Sequence, residues 1–214
     1  MAVLNLSFAA CGFLGIYQLG VLGAVLRHGE RLLQAVQACA GASAGALVAT
    51  VLVTAPDRLE QCKDFTYRFA SEVRSQRLGA VTPGYDFMLT LREGIEEILP
   101  PDAHQMAGDR LHISLTNSRT RRNRMVSGFA SREDLIKVLL ASSFVPVYAG
   151  INAVEYQGQD APSPCLRSAD PRTSAPSTLA WQTSTSNSPT WMSFFLQTIS
   201  YASIKLCFRR RWTQ

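Results

Sequence analysis

Within its first 54 residues the chain writes one unit twice: an apolar run of strand length, a glycine-bearing turn, and a longer apolar run of helical length. The first copy is Val3-Leu4-Asn5-Leu6-Ser7-Phe8, the turn Cys11-Gly12-Phe13-Leu14-Gly15, and a helix from Ile16 to Leu26 that Gly29 is placed to stop. The second is Val36 to Ala40, the turn around Ala40-Gly41-Ala42-Ser43-Ala44-Gly45, and a helix from Ala44 to Thr54 that ends before Pro56. Parallel strands need a crossover of this kind, and ligands of such sheets gather beyond the carboxyl ends of the strands. The repeat therefore predicts an α/β fold with a mostly parallel sheet. It also predicts a first strand covered on both faces and two helices buried almost all round.

Further along, Pro56 and Asp57 begin an amphipathic helix with Leu59, Cys62, Phe65, Phe69 and Val73 on one face. Pro83 to Asp86 is a turn, and Phe87 to Leu99 a helix stopped by Pro100-Pro101. Leu111 to Thr116 alternates like a strand, with Met125 to Ser127 as its hairpin partner across an arginine-rich loop. Ser131-Arg132-Glu133-Asp134 resembles a capping box, opening a helix through Leu135, Val138 and Leu139, after which Phe144 to Tyr148 is extended.

All 14 glycines lie at or before Gly158, and the following residues are rich in Ser, Thr and Pro. This divides the chain into one folded domain, 1–158, and a tail, 159–214, expected to be disordered, most clearly over 160–190. At the end of the tail, Trp191 to Trp212 combines aromatic residues with Arg209 to Arg211. That pattern suits a membrane surface, and equally suits sequence never selected to fold.

A net charge of +5 is mild, and part of it lies in two clusters, Arg119 to Arg124 and Arg209 to Arg211. Without interleaved aromatics along a groove, this excludes a nucleic-acid partner; an anionic membrane surface and a solvated loop both remain as readings. The cysteines at 11, 39, 62, 165 and 207 form no CxxC pair and have no histidine-rich partner. No metal site and no disulfide scaffold is expected, and a reducing, cytoplasmic setting is. Ala2 to Leu26 carries no charge and has the length of a membrane span, yet Asn5, Ser7, Gln18 and four glycines argue against insertion.

Gly41-Ala42-Ser43-Ala44-Gly45 is a G-x-S-x-G at a strand-to-helix turn. Small residues there permit either a close helix approach or a sharp bend that leaves a serine hydroxyl projecting above the sheet as a nucleophile. The flanking strand and helix favour the nucleophile. Gly12 and Gly15 close the neighbouring strand at the same sheet edge, so their turn can offer amides to an oxyanion. A dinucleotide site on that loop would want the full G-x-G-x-x-G. Ala10 stands where its first glycine belongs, and the second strand ends in Cys39-Ala40 instead of an acid. Of the three histidines, His28, His104 and His112, none sits in a recognisable base motif.

Taken with Leu6 to Gly15, Thr82 to Phe87 and Ala141 to Pro146, these turns resemble the patatin-like phospholipase domain family from about Asn5 to Gly158. The resemblance implies a three-layer α/β/α fold and a serine-aspartate dyad without cofactor or metal. It implies action on glycerolipid, phospholipid or retinyl esters at a membrane or lipid-droplet surface. It makes Ser43 the nucleophile, places Cys11, Gly12, Phe13 and Gly15 in the oxyanion loop, and Gly41 and Gly45 in the turn around the serine. The family's aspartate belongs to an Asp-Gly turn shortly after Tyr156-Gln157-Gly158. Here Gln159-Asp160-Ala161-Pro162 follows, with no later Asp-Gly pair, so no dyad aspartate is identified and the family's later strands are expected to be missing. Two readings stay open: an active lipid acyl hydrolase or transacylase, and a catalytically impaired form that binds a lipid surface or a partner.

Overall fold

In a computed structural model, residues 4–117, 120, 122–145, 148 and 149 are described in full, and 154–156, 159–161 and 204–208 through their backbone. The repeated unit forms as expected. Strand β1 (Leu4–Phe8) leads through a 3-10 turn at Gly12–Leu14 into helix α1 (Gly15–His28), and after α2 (Glu30–Ala35) the chain returns as β2 (Val36–Gly41). Helix α3 (Ala44–Thr54) follows, then α4 (Leu59–Ser75), α5 (Phe87–Ile98) and α6 (Ala103–Ala107). Strand β3 (Leu111–Thr116) forms a hairpin with β4 (Asn123–Val126), and α7 (Arg132–Ser143) completes the helices among the described residues.

The sheet runs β4-β3-β2-β1-β7, where β7 is Ile204–Phe208, and β5 (Val154–Tyr156) pairs separately with β6 (Gln159–Ala161). Its centre, β1, β2 and β3, is parallel, and β4 and β7 join it antiparallel at the two edges. Register places Phe8 beside Gly41 and Gly41 beside Ile113, so β1 and β2 finish at one rim while β3 runs on to Thr116. Helix α3 packs on β1, β2 and β3, between α1 and α7. Ala46, Ala49, Leu111, Ile113, Leu135, Val138 and Leu139 are sealed where these elements meet, and that apolar burial supplies the main stabilisation.

Local chemistry explains the helix ends. Asp86 accepts from the Leu89 amide at 2.9 Å, and Ser131 from the Asp134 amide at 3.1 Å, each a side-chain oxygen satisfying a donor the helix cannot. The Asp134 carboxylate reaches back to the Ala130 amide at 3.1 Å. The Gly29 amide closes α1 on the Val25 carbonyl at 2.7 Å.

Several expectations need correction. α1 is not buried all round: Leu19 and Leu22 are sealed, but Tyr17 is 65% exposed, because apolar composition alone does not decide which face meets the core. The first strand alternates, with Leu4, Leu6 and Phe8 buried and Asn5 and Ser7 only half-buried. β3 does the same. Neither α2 nor α6, which holds His104, has a counterpart in the sequence reading. The tail expected to be disordered from 159 instead begins with β6 (Gln159–Ala161), where strand pairing orders the backbone; the disorder expected over 162–190, the extended run through Pro146 and Val147, and the C-terminal aromatic segment apart from the β7 backbone lie outside the described residues.

Candidate functional site

Because Phe8 and Gly41 are paired neighbours on parallel strands, the segments that follow them emerge side by side. The Ala42 amide donates to the Phe8 carbonyl at 3.2 Å and stitches the two exits together. No side chain fits between. A Cβ on Gly45 would meet the carbonyl oxygens of Phe8 and Ala9, the latter at 2.5 Å, and one on Gly41 would stand 2.5 Å from the Ala46 Cα. Both glycines are therefore required by backbone-to-backbone contact.

Between them Ser43 adopts φ 53° and ψ −128°, the one positive φ outside glycine among the described residues. Such a conformation costs about 1–3 kcal/mol and persists only where the surroundings over-determine it. Here they do. The Ser43 amide donates to Ser142 Oγ at 2.9 Å, its carbonyl accepts from Ala46 at 2.8 Å, and the Gly45 amide bonds the Ala42 carbonyl at 3.0 Å.

Ser43 also occupies the N-cap of α3, where a serine hydroxyl ordinarily bonds the first-turn amides, yet no such side-chain bond forms. The residue is 7% exposed, and its hydroxyl is not among the sealed, unpartnered side-chain atoms. Not engaged as a cap, the hydroxyl of this buried residue belongs to the helix N-terminus, where the dipole favours negative charge.

The facing turn is built differently. Cys11 is buried, Gly12 takes φ +53° with open space where a side chain would be, and the Leu14 amide closes the turn on the Cys11 carbonyl at 3.1 Å. As the first residues of a helical turn, Gly12 and Phe13 carry amides for which the turn has no acceptor. A Cβ on Gly15 would stand 3.4 Å from the Ala44 Cβ and 3.7 Å from Cys11 Sγ, so the starts of α1 and α3 touch. Two helix N-termini thus meet at the rim that holds Ser43. Gln18, fully buried, donates from Nε2 to the Ala9 carbonyl at 3.1 Å and anchors the approach to this turn.

Phe13 carries the turn into an aromatic row. Its ring meets Phe69 edge-on at 5.3 Å and Phe87 at 6.4 Å, Phe69 lies 4.8 Å from Phe87, and Phe87 meets Tyr148 edge-on at 5.3 Å. Tyr148 is 41% exposed, so the row runs from the glycine turn to the surface.

His28 ends α1, His104 lies in α6 with Nδ1 buried and unpartnered, and His112 lies in β3 beside Ala40; none has a hydrogen bond to Ser43. Asp160 is in β6, and its side chain lies outside the described residues. Burial pushes the Cys39 thiol up to about 12, against a smaller opposing pull from Arg110, and the Cys62 thiol up to about 11. Neither is a nucleophile at neutral pH. Among the described residues no group of three or more His, Cys, Asp or Glu could hold a metal ion, and no helix is long and apolar enough to cross a membrane.

Sequence reasoning brought Ser43 and the Cys11–Gly15 turn to one rim but assigned no role to Ser142 or Gln18. Ser142 lies in the Ala141–Pro146 stretch that carries the family resemblance, and Gln18 shows only as a polar residue inside an apolar helical run.

The patatin-like phospholipase family profile matches residues 6–168. Over 159 residues the chain is 65% identical to human patatin-like phospholipase domain-containing protein 4, covering 74% of this chain and 63% of that protein. It is 38% identical to mouse patatin-like phospholipase domain-containing protein 2, over 72% of this chain and 32% of that one. With human omega-hydroxyceramide transacylase it shares 34% identity, over 72% of this chain and 29% of the relative. The chain thus spans about three fifths of the first of these relatives and about a third of the others. Its glycine-flanked serine turn, its parallel sheet and these matches agree: the chain belongs to the patatin-like phospholipase family.

Proposed function

We propose that this chain is a serine-dependent acyl hydrolase or transacylase acting on lipid esters of the glycerolipid, phospholipid or retinyl type. Ser43 Oγ attacks the ester carbonyl and loses its proton to a base, and the carbonyl oxygen becomes an oxyanion facing the Cys11–Gly15 turn. The alcohol leaves as it takes up a proton, and water or an acceptor alcohol then attacks the acyl-serine to release the acid or a new ester. Each preorganised amide on the oxyanion contributes about 2.7–4 kcal/mol to such a step.

The observation that carries this reading is the Ser43 backbone: a positive φ in a non-glycine residue, with the hydroxyl withheld from its capping role. The aromatic row beginning at Phe13 supports an apolar acyl group beside it. Exposed Arg122 and Arg124 at β4 support contact with an anionic membrane or droplet surface.

One observation favours a second reading, a catalytically impaired form that binds a lipid surface or partner. Gln159-Asp160-Ala161-Pro162 stands where the family's Asp-Gly turn belongs, and loss of such a base removes about 10² to 10⁴-fold in rate. Fluorophosphonate labelling and turnover of a long-chain p-nitrophenyl ester, each lost in Ser43→Ala, support the enzyme. A folded chain without turnover, labelled slowly or not at all at Ser43, supports the impaired form, and labelling and turnover that persist in Ser43→Ala contradict the nucleophile assignment itself.

A further inference from the structure

We propose that Ser142 is a positioning residue for Ser43, holding the backbone of the turn in the one conformation that presents the hydroxyl; this rests on the reading of Ser43 as nucleophile. Ser142 is fully buried in the last turn of α7, and its Oγ lies 2.9 Å from the Ser43 amide and 2.9 Å from the Ser114 carbonyl. A hydroxyl has one proton and two lone pairs. With the proton donated to Ser114 on β3, a lone pair faces the Ser43 N–H, so the direction of the bond is fixed by the sheet. One side chain thereby ties the turn, α7 and β3 together, across 99 residues of chain.

The need for such a tie is local. At φ 53° a serine relaxes toward negative φ unless its peptide plane is held, and rotation of that plane swings Oγ away from the rim. The neighbouring bonds hold the flanks: Ala42 through its amide, Ser43 through its carbonyl on Ala46. Only Ser142 holds the Ser43 amide among the described residues. An alanine there leaves an amide and a carbonyl unpartnered in the interior, and the turn is free to relieve its strain.

A purely structural role would lower stability without a selective loss of Ser43 reactivity, which separates the two. The test compares Ser142→Ala with Leu139→Val, a truncation at a fully buried position on the same helix, by thermal midpoint and by the rate of fluorophosphonate labelling at Ser43. Ser142→Ala is expected to slow labelling about tenfold to a hundredfold, while Leu139→Val labels at the parent rate. Equal slowing in both variants, or parent-rate labelling in Ser142→Ala, overturns the proposal. Should Ser142→Ala fail to fold, Ser142→Cys keeps a weaker acceptor and is expected to label at an intermediate rate; the parent rate there overturns the proposal. Amide hydrogen exchange supplies a readout independent of reactivity: the Ser43 amide is expected to lose protection in the variant while Val51, deeper in α3, retains it. Unchanged protection at Ser43 overturns the proposal even if the parent chain proves unreactive, a result that by itself would count only for the catalytically impaired form.

Discussion

The amide of Ala42 donates to the carbonyl oxygen of Phe8 at 3.2 Å, joining the ends of two parallel strands whose next residues are the glycine turn and the candidate serine. A single backbone bond thus sets the spacing of both halves of the site.

That spacing leaves no room at Gly45, whose missing Cβ would press on the Phe8 and Ala9 carbonyls. Gly45→Ala is expected to destabilise by at least about 1–3 kcal/mol. Gly20→Ala, on the exposed face of α1 with nothing near its Cβ, is expected to stabilise by about 0.5–1 kcal/mol. Urea midpoints of the two variants check the contrast.

Phe69, buried between Phe13, Phe65 and Phe87, holds the aromatic row together. Its replacement by alanine is expected to cost about 3–5 kcal/mol, and by leucine less, since more of the apolar volume is kept. Removing the ring that braces Phe13 is also expected to slow Ser43 labelling, measured on whatever fraction remains folded.

Burial raises the Cys39 and Cys62 thiols from 9.0 to about 12 and about 11 in the folded chain. A raised pKa means stability fully present below the unfolded value and lost as pH climbs through the folded one. Thermal midpoints are therefore expected to fall progressively above pH 9, and to fall less steeply in Cys39→Ala. Iodoacetamide is expected to leave both thiols unmodified in the native state at pH 8.

The strand-turn-helix repeat was legible because glycine, apolar length and flanking breakers all lie close together along the chain. The β3–β4 hairpin and the caps at Ser131 and Gly29 are equally local. α2 escaped because its six residues are too few to show a period. The exposure of Tyr17 escaped because a run as apolar as Ile16 to Leu26 does not say which side faces water. The Ser142 tie joins residues 99 apart, so although the Ala141–Pro146 stretch stands out in the sequence, its bond to Ser43 leaves no mark in local pattern.

The account stands on two turns sharing one ester, and a crystal structure of the chain phosphonylated at Ser43 tests that most directly. It is expected to show the phosphonyl oxygen about 2.7–3.1 Å from amides of the Gly12–Phe13 turn. A phosphonyl oxygen directed to solvent, with those amides facing elsewhere, would contradict it.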